Sequence, residues 1–272
     1  MASVAYKFWR EAWFEYDGLL DWLCHRSDVR RVCEVGAGAN PALQLDFLSA
    51  CGIDHAIVDI SQEELDKAPV GYTKLLLDMT QPLPQLTESV DLVASSFVAE
   101  HVHDPVTFHR NVWRMLRPGG FALHVFPTFY ALPFLLNRAV PERVTDRVLI
   151  RFQRFREPEG HEGKFPAYYH WCRGPTQRQI ARFRDVGFEL LSFRGYFGHG
   201  YYLHFGLLND CENAKAKFLL RHPVPQLTTY GLVLLRRPAI PGSQAIDDIP
   251  ERPQSRTVVS FSTRHRLNAG YD

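Results

Sequence analysis

The chain has 272 residues, with 31 Lys and Arg against 30 Asp and Glu and a formal net charge of +1. That balance excludes a protein built on bulk attraction to phosphate and disfavours nucleic acid as a partner, while the length suits one α/β domain with an elaboration. Cys24, Cys33, Cys51, Cys172 and Cys211 show no C-x-x-C or Cys/His metal spacing, so they read as free thiols in a reducing compartment with no metal site.

The amino terminus moves from Met-Ala-Ser into aromatic and charged residues, without a signal peptide or spanning segment, so a cytoplasmic protein is expected. Tyr6, Trp9, Ala12, Trp13, Tyr16, Leu19, Leu20 and Leu23 recur at helical spacing and predict a leading amphipathic helix within 1–28. Arg31–Val35 is the first strand of the main run. It breaks at Gly36 and Gly38 and leads into a helix from Ala42 to Cys51.

Ala56–Ile60 is the next strand, and Ser61-x-x-Glu64 is a capping box that starts a short helix. Strands follow at Thr73–Leu77 and Val90–Ser95. Asp104 and Pro105 supply an N-cap and N1 proline for a helix reaching Leu116. Arg117-Pro-Gly-Gly120 stops that helix, and Phe121–Phe126 is the fifth strand. After a long interruption, Thr176-x-x-Gln179 caps a helix ending at Gly187. Phe188–Tyr196 and Thr228–Arg236 read as strands, with Asp210–Arg221 helical between them. The alternation predicts a parallel sheet in one domain, 1–240. Pro, Ser, Asp and Arg without a sustained period predict a disordered tail over 241–272.

Glycines at a strand-to-helix bend let a ligand approach the backbone, and the helix beyond offers unpaired N–H groups. A dinucleotide fingerprint needs a third glycine where Pro41 stands, so that pattern fails. Glu34, two residues before Gly36, would repel a pyrophosphate and suits a cationic ligand better. Asp59 ends the second strand roughly twenty residues after the bend, where a carboxylate can accept from both ribose hydroxyls.

Glu34-x-Gly36-x-Gly38 resembles motif I of the class I S-adenosylmethionine-dependent methyltransferases, with Asn40 where that family often has a third glycine. Val58-Asp-Ile-Ser-Gln-Glu-Glu-Leu65 is similar to the second motif. Ser89 to Pro105 is similar to motif IV and the segment beyond it, and Arg117-Pro-Gly-Gly120 to the turn before strand five. The landmarks cover roughly Val29 to Val125 and look most like the small type 11 methyltransferases. The resemblance implies a Rossmann-like, doubly wound α/β sheet of seven strands, the last antiparallel, with helices on both faces. It also implies S-adenosyl-L-methionine as cofactor.

By the same resemblance Glu34, Gly36, Ala37, Gly38 and Asn40 line the amino-acid side of the cofactor, and Asp59 takes the ribose. Ile60, Asp78 and Met79 surround the adenine, while Ser95, Ser96 and Phe97 lie beside the sulfonium. For Asp78 a helix N-cap ahead of Thr80 is the alternative. The implied reaction is in-line methyl transfer to a small or medium organic acceptor, expected at oxygen, where alignment and exclusion of water are the enzyme's main work. A base is needed only if the nucleophile must lose a proton. His101 and His170 are the candidates, each with a pocket-lining or packing alternative, and His103 and His199 are further histidines near strand ends.

Residues 127–175 are expected to form a substrate-side lid. Arg138, Arg143, Arg147, Arg151, Arg154 and Arg156 are interleaved there with apolar residues. A solvated helix pair is one alternative. Another is peripheral membrane contact through 134–156, which would suit a lipid or glycan precursor as acceptor. From other classes come a non-catalytic cofactor-binding regulatory or scaffolding protein and a nicotinamide oxidoreductase.

Overall fold

Apolar runs that alternate in period two pair into one eight-stranded sheet, and the helices between them cover both faces. The computed structural model describes residues 3–129, 166–203, 205–239 and 249–251. The chain order is β1 (Ser3–Phe8), α1 (Glu11–Cys24), β2 (Arg31–Val35), α2 (Leu45–Cys51), β3 (Asp54–Asp59), α3 (Gln62–Lys67) and β4 (Thr73–Leu76). It continues with β5 (Val90–Ser96), α4 (Pro105–Met115), β6 (Leu116–Pro127), α5 (Gln177–Val186), β7 (Glu189–Phe197), α6 (Gly206–Arg221) and β8 (Tyr230–Arg236).

The spatial order is β1-β7-β8-β6-β5-β2-β3-β4. Neighbours are parallel except that β8 runs antiparallel to both β6 and β7. From β2 the chain winds outward through β3 and β4, then returns to build β5 and β6 on the other side. The switch point therefore falls between β2 and β5, and ligands in open α/β sheets bind beyond the carboxyl ends of such strands.

Alternation divides the core cleanly. Phe121, Leu123 and Val125 of β6, with Leu232 and Leu234 of β8, face the layer containing Leu19, Leu20 and Leu23 of α1. Ala122 and Phe126, with Val233 and Leu235, face Phe108 and Val112 of α4 and Ile180 and Phe183 of α5. The expected caps are present. Ser61 Oγ accepts from Glu64 N, Asp104 from Val106 N and Thr107 N, and Thr176 from Gln179 N, while Gly187 closes α5 in the left-handed region.

Three expectations are corrected. The sheet has eight strands rather than seven, because residues 3–8 form β1, parallel to β7 from Ser3↔Ser192 to Phe8↔Phe197. Tyr6 thus lies in a strand, its ring stacked on Phe197 at 5.5 Å, and the helical stripe begins beyond it. The helix after the glycine bend starts at Leu45, since the backbone N–H groups of Ala42 and Leu43 are held by Glu34 instead. Arg117-Pro-Gly-Gly120 ends α4 as expected but forms a bulge within β6, where pairing jumps from Val90↔Leu116 to Leu92↔Phe121. Gly119 takes φ +86° there, donates to Arg237 O and leaves Gly120 O to accept from Arg237 N.

The peripheral contact expected over 134–156 lies outside the described residues, as does 130–165 of the expected lid. The two ends of that segment are neighbours: Phe129 N donates to Cys172 O at 2.9 Å, beside the carboxyl end of β6. Of the expected tail, Ile249–Glu251 are described. Arg194 Nη2 donates to Pro250 O and Lys7 Nζ to Glu251 O. Lys7 and Arg194 also pair with Glu15 of α1, which accepts from Tyr196 Oη at 2.6 Å, so a buried charged network ties α1 to the β1–β7 edge.

Candidate cofactor and acceptor site

Both glycines of the bend adopt conformations that L side chains avoid, φ +69° at Gly36 and +43° at Gly38. A Cβ on Gly36 would fall 2.2 Å from Val98 Cγ2. One on Gly38 would fall 3.0 Å from both Asp59 Oδ2 and Glu64 Cβ. The loop after β2 therefore lies directly against the end of β3 and the turn after β5. Ala37 O accepts from Asn40 N at 2.8 Å to close the loop, and Asn40 itself is exposed.

Glu34 is buried, and its carboxylate is fully engaged. Oε2 accepts from Ala42 N at 2.7 Å, while Oε1 accepts from Leu43 N at 3.1 Å and meets His55 Nε2 at 2.7 Å. The carboxylate thus fastens the far side of the bend from beneath. Asp59, at the mouth, is half-buried. Burial raises its carboxyl above the usual range and the nearby Glu64 adds to this, although N–H groups of Ser61, Ile60 and Gly38 oppose the shift. Beside it Ile60 stands 58 % exposed, an apolar side chain uncovered at the strand end.

These features fit a nucleoside cofactor. Bare backbone at Gly36 and Gly38 admits close approach, a carboxylate at Asp59 matches a ribose diol, and Ile60 offers an apolar surface to a base. At the neighbouring rim, Asp78 Oδ1 accepts from Thr80 N at 2.8 Å and Thr80 Oγ1 at 2.7 Å, so it holds a turn with no helix behind it. Burial acts to raise its carboxyl, but the Thr80 and Gln81 hydrogen bonds outweigh it and keep it below the usual range. Met79 is buried in the core, and its carbonyl, with that of Gln81, accepts from the buried amide of Asn111.

At the end of β5, Ser95 is turned into the sheet layer, its Oγ 2.7 Å from His124 Nδ1, whereas Ser96 is partly exposed. Phe97 takes φ +55°, a strained conformation for a residue with a side chain, held by its N–H donating to Val125 O at 2.9 Å. Its ring lies 6.2 Å from Trp13 of α1 in a stacked arrangement and 6.1 Å from Tyr230, which is itself 5.0 Å from Trp13.

The two histidines read as possible bases are both exposed and bonded to main chain. His101 Nδ1 lies 3.1 Å from Pro166 O, and His170 Nδ1 lies 2.8 Å from His103 O. His103, Tyr168 and His170 form a cluster of rings between 5.2 and 5.9 Å apart. His199 is buried against Tyr202 and 3.6 Å from Glu212. Desolvation takes it down to about 4 despite the Glu212 charge.

Glu100 is a residue that the sequence reading passed over. It sits in the short 3-10 turn Ala99–His101 after β5, only 5 % exposed, and its Oε2 is buried without a hydrogen-bond partner. Burial lifts its carboxyl to about 8. No local signal marks it, because its burial comes from residues 168–172 folding over it from a distant part of the chain. Asp91, at the opposite end of β5, clasps the sheet instead, accepting from Arg30 N, Arg31 N and the Arg31 and Arg117 guanidinium groups. At that same far end, a depression of about 430 Å³ lined by Cys24, His25, Arg30, Phe47 and Cys51, among others, lies between α1 and α2.

The strand order, the glycine bend at the switch point and the acid ending β3 together define a Rossmann-like, doubly wound fold. Residues 33–124, about a third of the chain, match the model of the type 11 methyltransferase domain. A stretch of 101 residues, 35 % of this chain and 38 % of the relative, is 33 % identical to an uncharacterized methyltransferase of Mycobacteroides abscessus. The match thus spans well under half of that relative.

Among solved structures, phosphoethanolamine N-methyltransferase 2 of Haemonchus contortus, in complex with S-adenosyl-L-methionine, superposes with a TM-score of 0.50 at 15 % identity. That comparison covers 83 % of this chain and 53 % of the other. An S-adenosylmethionine-dependent methyltransferase of Mesorhizobium loti gives 0.48 at 19 % identity, covering 82 % and 97 %. Among the described residues, no helix is long and apolar enough to cross a membrane and no cluster of His, Cys, Asp and Glu could hold a metal ion.

Proposed function

We propose that the chain is a methyltransferase that uses S-adenosyl-L-methionine to methylate a small or medium organic acceptor at oxygen. The observation that carries the reading is the close seating of Gly36 and Gly38 against Asp59 at the switch point, within the segment that matches the methyltransferase domain. When bound, the cofactor supplies an activated methyl group that already carries its leaving group.

The chain's residues supply position. Asp59 accepts the ribose hydroxyls, Ile60 covers the adenine with Asp78 and Met79 at its rim, and the bend from Gly36 to Asn40 receives the amino-acid end. Glu34 acts beneath that bend by fixing Ala42 and Leu43, so its contribution is to loop shape. Ser96 and Phe97 stand where β5 ends and set the direction of transfer, while Ser95 supports them through His124. Trp13, Phe97 and Tyr230 form a contiguous aromatic wall that excludes water from the reacting atoms.

A differential binding experiment tests the reading. The melting temperature should rise with S-adenosylhomocysteine, and mixing with NADH should leave nicotinamide fluorescence unchanged. The opposite pair of results would make the chain a nicotinamide oxidoreductase.

A second reading, a lipid or glycan precursor as acceptor at a membrane surface, is favoured by apolar side chains left uncovered on and beside α6. Leu207 is 79 % exposed and Phe218 61 %, with Lys217 and Arg221 on the same helix. Sedimentation with anionic vesicles at low salt would support it, and absence of binding there would end it.

A further inference from the structure

The groups gathered at the carboxyl ends of β5 and β6 define more than a cofactor slot. Glu100 follows β5. Tyr169 belongs to the segment that returns beside β6, Tyr201 follows β7, and Tyr230 opens the antiparallel β8, so all four stand at the same end of the sheet. Phe97 and Trp13 complete the wall through Tyr230. The turn carrying Glu100 also touches the cofactor bend, since Val98, two residues earlier, is the side chain against Gly36.

Glu100 is held there firmly. Its carbonyl accepts from both Tyr168 N at 2.7 Å and Tyr169 N at 3.0 Å, and Tyr169 is fixed at φ +53°. A carboxyl oxygen buried without a partner is expensive for a fold to keep unless it serves a ligand. We infer that Glu100 is the base of the methyl-transfer reaction and that the acceptor is an aromatic compound carrying an ionisable hydroxyl, seated on the Trp13–Phe97–Tyr230 wall.

This inference rests on the methyltransferase reading and adds a substrate class and a catalytic residue to it. The hydroxyl O–H breaks and its proton passes to a Glu100 carboxylate oxygen. The acceptor oxygen then forms a bond to the methyl carbon as the methyl–sulfur bond breaks, its electron pair returning to sulfur to give neutral S-adenosylhomocysteine. The chemistry is matched, because a carboxyl lifted to about 8 by burial lies nearer a phenol than an ordinary carboxylate does. The groups facing Glu100 are Tyr169 and Cys172 from the returning segment and His101 on its own turn, with Nε2 3.8 Å from Oε1. Both Tyr169 and Cys172 are pushed up by burial first and by Glu100 next, so they are neutral where Glu100 ionises.

The experiment compares the full chain with Glu100→Gln, an isosteric change that keeps the neutral shape. A panel of simple phenols, aliphatic amines and carboxylates is scored by S-adenosylhomocysteine release across pH 6 to 9.5, and chemical stability is measured over the same range without cofactor. The expected result is turnover of phenols alone, with kcat/KM rising along a limb centred about pH 8 and levelling off above it. In Glu100→Gln that rate falls about a hundredfold or more and the limb disappears. The wild-type denaturation midpoint falls between pH 6 and 9.5 relative to the variant, because the buried carboxyl ionises, while both bind S-adenosylhomocysteine equally.

Turnover confined to amines or carboxylates, no turnover of any phenol, or an unchanged limb in Glu100→Gln would each overturn the inference while leaving cofactor binding standing. A wild-type stability profile identical to the variant's would also overturn it. Loss of S-adenosylhomocysteine binding by the wild type would instead overturn the methyltransferase reading beneath it.

Discussion

At Gly38 an added methyl group would meet Asp59 Oδ2 and Glu64 Cβ at 3.0 Å in a conformation already unfavourable for an L residue. Gly38→Ala should therefore lower S-adenosylhomocysteine affinity and also destabilise the fold by about 1–2 kcal/mol. Denaturant midpoints and calorimetry on one preparation separate the two effects. Glu34→Ala acts differently, because it leaves two buried N–H groups and His55 without their acceptor. A loss of about 1.5–3 kcal/mol of stability is expected, and an unchanged urea midpoint would contradict the loop-fastening role. The Glu34 position was legible in the sequence as a carboxylate beside the glycines. Its bonding was not, since its partners Ala42, Leu43 and His55 come together only when β2 and β3 pair. Glu100 escaped notice for a similar reason, whereas the more conspicuous His101 and His170 proved to be exposed and bonded to main-chain oxygens.

The elements followed the sequence wherever a local rule fixed them. Asp104 and Pro105 cap α4, Thr176 and Gly187 bound α5, and the apolar alternation of β6 and β8 places their two faces in opposite core layers. Asp104→Ala should accordingly lower stability by about 1 kcal/mol through loss of the cap, read as a shift in urea midpoint with an unchanged slope. Failures occurred where a nonlocal partner decided. Residues 3–8 have aromatic spacing compatible with a helix, yet the exposed edge of β7 recruits them as β1, with Tyr6 on Phe197. Arg117-Pro-Gly-Gly120 has turn chemistry, but pairing with Arg237 across the end of β8 absorbs it as a bulge.

On the scale of the molecule, three buried histidines set the response to acid. His124 and His199 are held at about 4 and His109 well below its ordinary value, in each case by desolvation foremost. In the unfolded chain they take up protons near the ordinary histidine value of about 6.5. The unfolded state therefore binds more protons between about 6.5 and 4, and stability should fall as pH falls through that window. Glu100 has the opposite sign: its raised value makes its contribution greatest below about 4.5 and lost as pH rises through about 8. Denaturation midpoints at pH 7 and 4.5 should show the acid loss, and His199→Gln should reduce it. A flat profile would mean that these imidazoles are hydrated or paired.

The doubly wound architecture itself was readable because the glycine bend, the acid of β3 and the strand-ending segments are all local in sequence. The aromatic wall was not, since Trp13, Phe97 and Tyr230 meet only across the folded sheet. Everything proposed for function rests on the bend holding a sulfonium nucleoside against Asp59. The direct test is isothermal calorimetry with S-adenosylhomocysteine on the wild type and Asp59→Ala. Saturable one-site binding is expected, weakened by about 1.5–3 kcal/mol in the variant. Binding of equal strength in both, or none in the wild type, would contradict the account.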